Sequence, residues 1–97
     1  MLCSEELIQK VWEKGTIVLS NDPELWRQDQ CGAWMARYEY GRQRSIYGWE
    51  IDYINSQSQQ DVRKLFNLRP MQWQNIHKQG SEFVCMVKAV GVKNCVI

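Results

Sequence analysis

The sequence has little histidine and little proline, and its cysteines are widely spaced. It contains one histidine, two prolines and four cysteines among 97 residues. The cysteines are never two residues apart, so the chain lacks the close Cys pairs typical of a structural zinc site. We therefore expect no structural zinc and four reduced, mostly buried thiols. A disulfide between Cys85 and Cys95, across a C-terminal hairpin, is the alternative for these two residues. The four are Cys3, Cys31, Cys85 and Cys95.

Long apolar runs are also absent. No run approaches the roughly 20 residues that a transmembrane helix needs, which predicts no membrane partner. Residues 1–6 lack the basic start and apolar core of a signal peptide. The length and a hydrophobic content of 44% indicate one globular domain. We expect a cytoplasmic protein.

The net charge of +1 hides an asymmetry between the two parts of the chain. Residues 1–29 carry six acidic and three basic side chains, whereas residues 30–97 carry nine basic and five acidic ones. A basic face of that kind can bind phosphates, although ordinary solvated cations would give the same count. The candidate nucleic-acid or partner-binding residues are Arg37, Arg42, Arg44, Arg63, Lys64, Arg69 and Lys78.

Residues 1–25 are predicted to form an N-terminal helical segment. Ser4 is a candidate N-cap, and apolar residues at helical spacing follow it as far as Trp12. Gly15 marks the end of this helix, and Asp22-Pro23 is a second start signal, which predicts one helical turn over residues 24–27 that leads into the main module.

The remaining chain predicts strands and a further helix. Residues 49–54 alternate with period two, which indicates a strand, and residues 68–71 predict a return strand after a polar loop. A helix is expected over 73–79 with Gly80 at its end. Residues 81–97 predict a C-terminal strand extension with a turn near Gly91.

Three of these segments together resemble the strand–loop–strand–helix core of HNH nucleases. The family has Asp-His at the end of the first strand, where Asp52-Tyr53 stands, and Asn-Leu at the second, matched by Asn67-Leu68. It has Asn-x-x-Lys-Gly on the helix, where residues 76–80 stand. Residues 31–34, 40–41 and 47–49 also match small stand-alone HNH proteins. The resemblance implies an α+β fold in which an HNH-like ββα core of the ββα-metal type, residues 26–80, follows an N-terminal helix and precedes a C-terminal β extension.

The resemblance also implies a site with altered chemistry. In the family, the histidine activates water while the Asp and the helix Asn hold a divalent cation. Here Asp52 matches the metal-binding Asp and Asn67 the middle Asn. Tyr53 occupies the position of the base, and a phenol with a pKa near ~10 is a poor base at neutral pH. Ile76 occupies the other ligand position and cannot bind metal. His77, the single histidine, is either a relocated base or a surface residue.

These departures predict a catalytically impaired, HNH nuclease-like pseudonuclease that needs no cofactor. It would bind nucleic acid or a protein partner, as an inhibitor or regulator in a mobile-element or defence setting. In that case Asp52 is a hydrogen-bonding residue and Asn67 a backbone clamp. The alternative is a divergent endonuclease that uses Mg²⁺ or Mn²⁺ with Asp52, Asn67, and His77 or Tyr53. A homo-oligomer held by exposed aromatic residues is a third interpretation.

Overall fold

The protein is a small α+β protein with one α-helix and three antiparallel hairpins among its described residues. A computed structural model describes residues 4–55, 64–76 and 83–97. The elements are α1 (Glu5–Trp12), β1 (Trp26–Gln28), β2 (Trp34–Ala36), β3 (Trp49–Tyr53), β4 (Leu68–Gln72), β5 (Val87–Val90) and β6 (Lys93–Val96). Each hairpin joins consecutive strands, β1 with β2, β3 with β4 and β5 with β6.

Helix α1 confirms the predicted start. The Ser4 side chain accepts a hydrogen bond from the backbone N–H of Leu7 at 3.1 Å, and acidic residues occupy the first turn, where the helix dipole favours them. The apolar stripe buries Ile8, Val11 and Trp12. The single turn predicted after Asp22 is present, although Trp26 and Arg27 already belong to β1. Asp22 caps this turn, with its Oδ1 accepting from the N–H of Glu24 at 2.9 Å.

The core lies between α1 and the first two hairpins. The indoles of Trp12 and Trp49 meet with ring centroids 5.2 Å apart, and both residues are fully buried. Met35 and Leu68 complete the cluster from β2 and β4. Aromatic side chains bury large areas each, so this pair anchors the helix onto the strands.

The β3–β4 hairpin confirms both strands expected around the polar loop. Its register places Asp52 opposite Arg69 and Tyr53 opposite Leu68. At the other end Gly48 makes a close approach, because a Cβ built there would lie 1.8 Å from the carbonyl oxygen of Arg42. Only glycine allows the preceding loop to reach β3 in this way.

The C-terminal extension is the β5–β6 hairpin, and it also agrees with the expectation. Gly91 occupies the turn with φ of +63°, a conformation that glycine adopts without steric cost. Only Val87 of this hairpin is buried, so most of its surface faces solvent.

The α-helix expected over residues 73–79 is absent from its described part. Residues Trp73–Asn75 form one 3₁₀ turn, and Ile76 is extended with φ −80° and ψ 125°. Polar side chains compete for the backbone here. The amide oxygen of Gln72 accepts from the N–H of Gln74 at 2.6 Å, while Asn75 bonds to the backbone of β5. His77, Lys78 and Gly80 lie outside the described residues.

The expectation of reduced thiols is wrong for two of the cysteines. Cys31 and Cys85 form a disulfide with their Cα atoms 5.6 Å apart, which ties the turn of the first hairpin to the segment before β5. Their separation of 54 residues hid the pairing, since spacing alone does not determine connectivity. Cys95 is free and exposed, and Cys3 lies outside the described residues.

In the part of the chain that the structure describes, no helix has the length and apolar character to cross a membrane.

Candidate functional site

Asp52 and Arg69 face each other across β3 and β4 as an ion pair. The guanidinium Nε of Arg69 donates to the Oδ2 of Asp52 at 2.9 Å, and the two side chains are only 14% and 11% exposed. Arg69 is held on two further sides. Its Nη1 donates to the Oε1 of Gln30 at 2.8 Å, and its guanidinium carbon lies 4.8 Å from the ring centroid of Phe83. The carboxylate thus already has a fixed cationic partner.

Asn67 closes the end of the same hairpin through its side chain. Its Oδ1 accepts from the backbone N–H of Asn55 at 2.8 Å, and its Nδ2 donates to the carbonyl of Asn55 at 3.0 Å. The residue is 5% exposed. A buried amide bonded in both directions acts as a clamp on the backbone, and it orients no imidazole, since Tyr53 stands where the family histidine would be.

Tyr53 and Ile76, which the resemblance aligns with the family histidine and the helix Asn, lie in different parts of the structure. Tyr53 ends β3 and is 42% exposed. Ile76 is half-buried and extended, immediately after the 3₁₀ turn. A phenol and an aliphatic side chain at these positions supply neither a strong base nor an oxygen ligand, as the residue types alone predict.

These residues do not fit a hard divalent cation. Such an ion prefers several oxygen ligands in a fixed geometry. The Asp52 carboxylate meets a guanidinium, the Asn67 oxygen is bonded to backbone, and Ile76 supplies no oxygen. Among the described residues, no group of three His, Cys, Asp or Glu side chains comes together.

The predicted basic residues have several different surroundings. Arg37 is 9% exposed and donates to Gln9 at 2.8 Å and Glu5 at 3.3 Å, so it supports α1 from within the fold. Arg42 pairs with Glu39 at 3.5 Å on the surface. Arg44 and Lys64 are exposed, while Arg63 and Lys78 lie outside the described residues.

The two exposed cations are at opposite ends of the β3–β4 hairpin. Arg44 belongs to the loop that is bonded to Gly48 just before β3, and the carbonyl of Lys64 accepts from the N–H of Asn67 at the far end. β3 has five residues and spans roughly 13 Å, so the two ends of the β3–β4 hairpin are separated by about that distance.

Lys14 is a cation that sequence analysis did not single out. Its Nζ donates to the carbonyl oxygen of Leu65 at 2.8 Å and also to that of Leu68, tying the end of the α1 segment to β4. Desolvation at this position lowers the pKa of Lys14 below its usual value. Its bonds indicate a tether between the N-terminal segment and the hairpin.

Sequence analysis also missed the polar cluster that joins the three hairpins. Asp29 is 3% exposed, and its carboxylate accepts four hydrogen bonds at 2.9–3.0 Å, from the N–H groups of Cys31, Ala33 and Gln72 and from the Asn75 amide. Asn75 is fully buried and also binds both N–H groups at the start of β5 and the carbonyl of Val87. The available signal was an Asp followed by Gly three residues later, which is typical of a tight turn.

Comparisons with known proteins add no relative. No family model, no curated protein and no solved structure matches this chain.

Proposed function

We propose that the chain is a degenerate HNH-like protein that acts by binding a protein partner and not by cutting phosphodiester bonds. The observation that carries this proposal is the ion pair between Asp52 and Arg69 at 2.9 Å. It occupies the one carboxylate that the family resemblance assigns to a metal. A nuclease of this kind would have to replace that guanidinium with a divalent ion before any chemistry began.

The β3–β4 hairpin supports the HNH-like part of the proposal. Its register brings Asp52, Tyr53 and Asn67 to one end of two antiparallel strands, as the resemblance implies. The helix that a ββα core requires was expected over residues 73–79, and it is absent from the described part of that range, where Trp73–Asn75 form a 3₁₀ turn and Ile76 is extended. The fold assignment therefore depends on the hairpin and on the residue matches around it.

The partner surface that we assign lies at the same end of the hairpin. Four large apolar side chains there are exposed, from 40% to 68%; we call them the hairpin-end patch, Tyr53, Ile54, Leu65 and Phe66. The Asn67 clamp and the bond from the N–H of Ile54 to the carbonyl of Asn67, at 2.8 Å, hold their backbones together. Contiguous exposed apolar groups mark protein interfaces, and aromatic groups are common anchors in them.

Nucleic-acid binding is the second candidate, and the charges favour it less. Phosphate binding needs several free cations along one path. Arg37 and Arg69 are engaged inside the fold, and Arg42 is paired with Glu39. The exposed Lys64 lies next to Leu65 of the hairpin-end patch, but the exposed Arg44 lies at the opposite end of the hairpin, so the two do not form one path.

The proposal is tested by site-specific photocrosslinking in the cells that naturally express the protein. A benzophenone amino acid replaces Phe66 in one variant and Tyr38, a 77% exposed aromatic outside the patch, in the control. We expect a discrete protein adduct from position 66 alone. A charge introduced nearby, Leu65→Asp, is expected to abolish it, because a carboxylate would have to be desolvated in the interface.

Other outcomes overturn the proposal in distinguishable ways. An adduct that nuclease treatment removes would assign the surface to nucleic acid. An adduct of twice the chain mass would indicate a homo-oligomer. If the variant with benzophenone at position 66 is folded and gives no adduct, the hairpin-end patch binds no partner and the proposal is wrong.

The cytoplasmic location expected from the N-terminus is part of the proposal, and the disulfide provides its test. Cytosolic thiol pools keep most protein thiols reduced. The disulfide in the structure conflicts with that location, so alkylation of the protein in intact cells followed by mass spectrometry decides between them: labelling of Cys31 and Cys85 would support the cytoplasm. Protection of both residues would instead place it in an oxidising compartment.

A further inference from the structure

A small aromatic pocket lies away from the hairpin-end patch. It has a volume of about 220 Å³ and is lined by Asn21, Trp26, Trp34, Tyr47 and Val92. Three of these five residues are aromatic, and none carries a charge. The lining comes from the segment before β1, from the first hairpin, from the loop before β3 and from the β5–β6 turn.

The aromatic walls are packed against one another at near right angles. The ring of Trp26 meets that of Trp34 at 83° with centroids 6.3 Å apart, and that of Tyr47 at 86° and 5.0 Å. Edge-to-face contacts of this kind fix the rings relative to one another. The π faces of perpendicular rings point in different directions.

The polar ends of two walls are bonded to the backbone of the β5–β6 turn. The indole N–H of Trp34 donates to the carbonyl of Gly91 at 2.7 Å, and the Tyr47 hydroxyl donates to that of Val92 at 2.6 Å. Asn94 adds a clamp, since its side chain bonds to both the N–H and the carbonyl of Trp34 at 2.7 and 2.9 Å. The walls are therefore held in place before any ligand arrives.

The volume limits what can enter. Pockets for whole drug-sized ligands measure about 300–1,000 Å³, whereas an apolar cavity of about 150 Å³ takes up one benzene ring. A pocket of about 220 Å³ suits a single headgroup of that scale. The remainder of a larger molecule would stay outside.

The lining chemistry selects among headgroups. An anion would find no cationic side chain among the five lining residues, and the Trp34 and Tyr47 donors are already used. The faces of aromatic rings are negative, and they attract cations, most strongly when the cation is desolvated. A methylated ammonium group carries a positive charge but forms few hydrogen bonds. Aromatic walls can therefore stabilise it without hydrogen-bond acceptors.

The exposed acids Asp22 and Glu24 lie one and three positions after the lining residue Asn21, and the exposed Lys93 directly follows Val92. We propose that the aromatic pocket binds a methylated ammonium group, supplied either by a methylated lysine side chain or by a small quaternary amine. The site is separate from the hairpin-end patch and does not depend on it.

The test is a titration of the full chain with choline, followed by the indole N–H signals of Trp26 and Trp34 in NMR spectra. The matched probe is 3,3-dimethylbutan-1-ol, which has the same shape without the charge. We expect choline to bind roughly 3- to 30-fold more tightly than the neutral probe, the ratio that a cation–π contribution gives. The Asp22→Asn, Glu24→Gln double variant should weaken choline binding and leave the neutral probe unchanged.

Removing one wall provides the second arm. Tyr47→Leu should weaken choline roughly 3- to 30-fold, while Tyr47→Phe, which keeps the ring and folds without the bond to Val92, should retain most of it. Tyr38→Leu, at an exposed aromatic away from the pocket, is the control. A peptide with trimethyllysine, compared with its unmethylated form and with free choline, identifies the source of the group.

Two results would overturn the proposal. Equal binding of choline and the neutral alcohol would make the pocket a simple apolar site. No shift of either indole signal by choline at high millimolar concentration, in a folded chain, would show that the pocket binds no such cation.

Discussion

Asp52 and Arg69 are paired across the β3–β4 hairpin, with the carboxylate Oδ2 2.9 Å from the guanidinium Nε and both side chains largely removed from water. The family resemblance assigns Asp52 to a metal ion. In this chain the register of the two strands gives it an arginine instead. The same contact that supports the hairpin also occupies the carboxylate that the resemblance assigns to a metal ion.

A double-mutant cycle should detect this pair. Arg69→Met leaves a partly buried carboxylate without its cation, and we expect the free energy of unfolding to fall by about 2–4 kcal/mol. Asp52→Asn should cost less, since an amide can still accept from the guanidinium. Urea unfolding of both single variants and the double variant should give a coupling energy of about 1–3 kcal/mol. The exposed pair Arg42–Glu39 is the control, with an expected coupling under about 1 kcal/mol.

Restoring the missing groups should not restore a nuclease. The Tyr53→His, Ile76→Asn double variant supplies an imidazole and an amide, but Asp52 stays paired with Arg69. We expect no nicking of supercoiled plasmid above background with Mg²⁺ or Mn²⁺. Metal-dependent nicking by this variant would mean that the pair opens readily and that our explanation of the inactive site is wrong.

The disulfide should contribute much of the stability of so small a domain. It closes a separation of 54 residues, for which the loop-entropy model gives about 4 kcal/mol. We expect Cys31→Ser with Cys85→Ser to lower the free energy of unfolding by about 2–5 kcal/mol in urea titrations. Cys95→Ser, at the exposed free thiol, should change it by less than about 0.5 kcal/mol. Similar values for the two variants would contradict the assigned pairing.

The Asp29 cluster predicts a large effect from a change of one atom. Asp29→Asn keeps the shape of the side chain but turns one acceptor oxygen into a donor that faces other donors. Because the group is buried, we expect a loss of about 2–4 kcal/mol. Asp22→Asn is the matched control, since an exposed cap can still accept through its remaining oxygen, and it should cost under about 0.5 kcal/mol. Thermal and urea unfolding measure both.

The sequence was sufficient where local patterns decide the structure. The Ser4 cap, the apolar stripe of α1, the alternation of β3 and the glycine turn at Gly91 all follow from periodicity or from the conformational preferences of single residues. Residue type alone shows that Tyr53 is a weak base and that Ile76 offers no oxygen ligand, whereas the match of these two positions to the HNH motif stays a prediction.

The remaining features depend on contacts between distant parts of the chain. The side-chain oxygen of Asn75 accepts a hydrogen bond from the N–H of Val87 in β5, twelve residues further along the chain. This contact holds residues 73–75 in a 3₁₀ turn and prevents an α-helix from starting at Trp73. Cys31 pairs with a residue 54 positions away, and Arg69 turns inward because Asp52 happens to lie opposite. Charge counts placed Arg37 on a binding face, whereas its actual partners are Gln9 and Glu5 on α1. No pattern within one segment shows such partners.

The most direct measurement is a titration of the isotope-labelled chain with Mn²⁺, observed by paramagnetic broadening of backbone amide signals. If Arg69 holds Asp52, the amides of residues 51–54 should lose no more intensity than exposed amides elsewhere at the same metal concentration. Selective broadening at residues 51–54 that Asp52→Ala abolishes, together with plasmid nicking under the same conditions, would contradict the account.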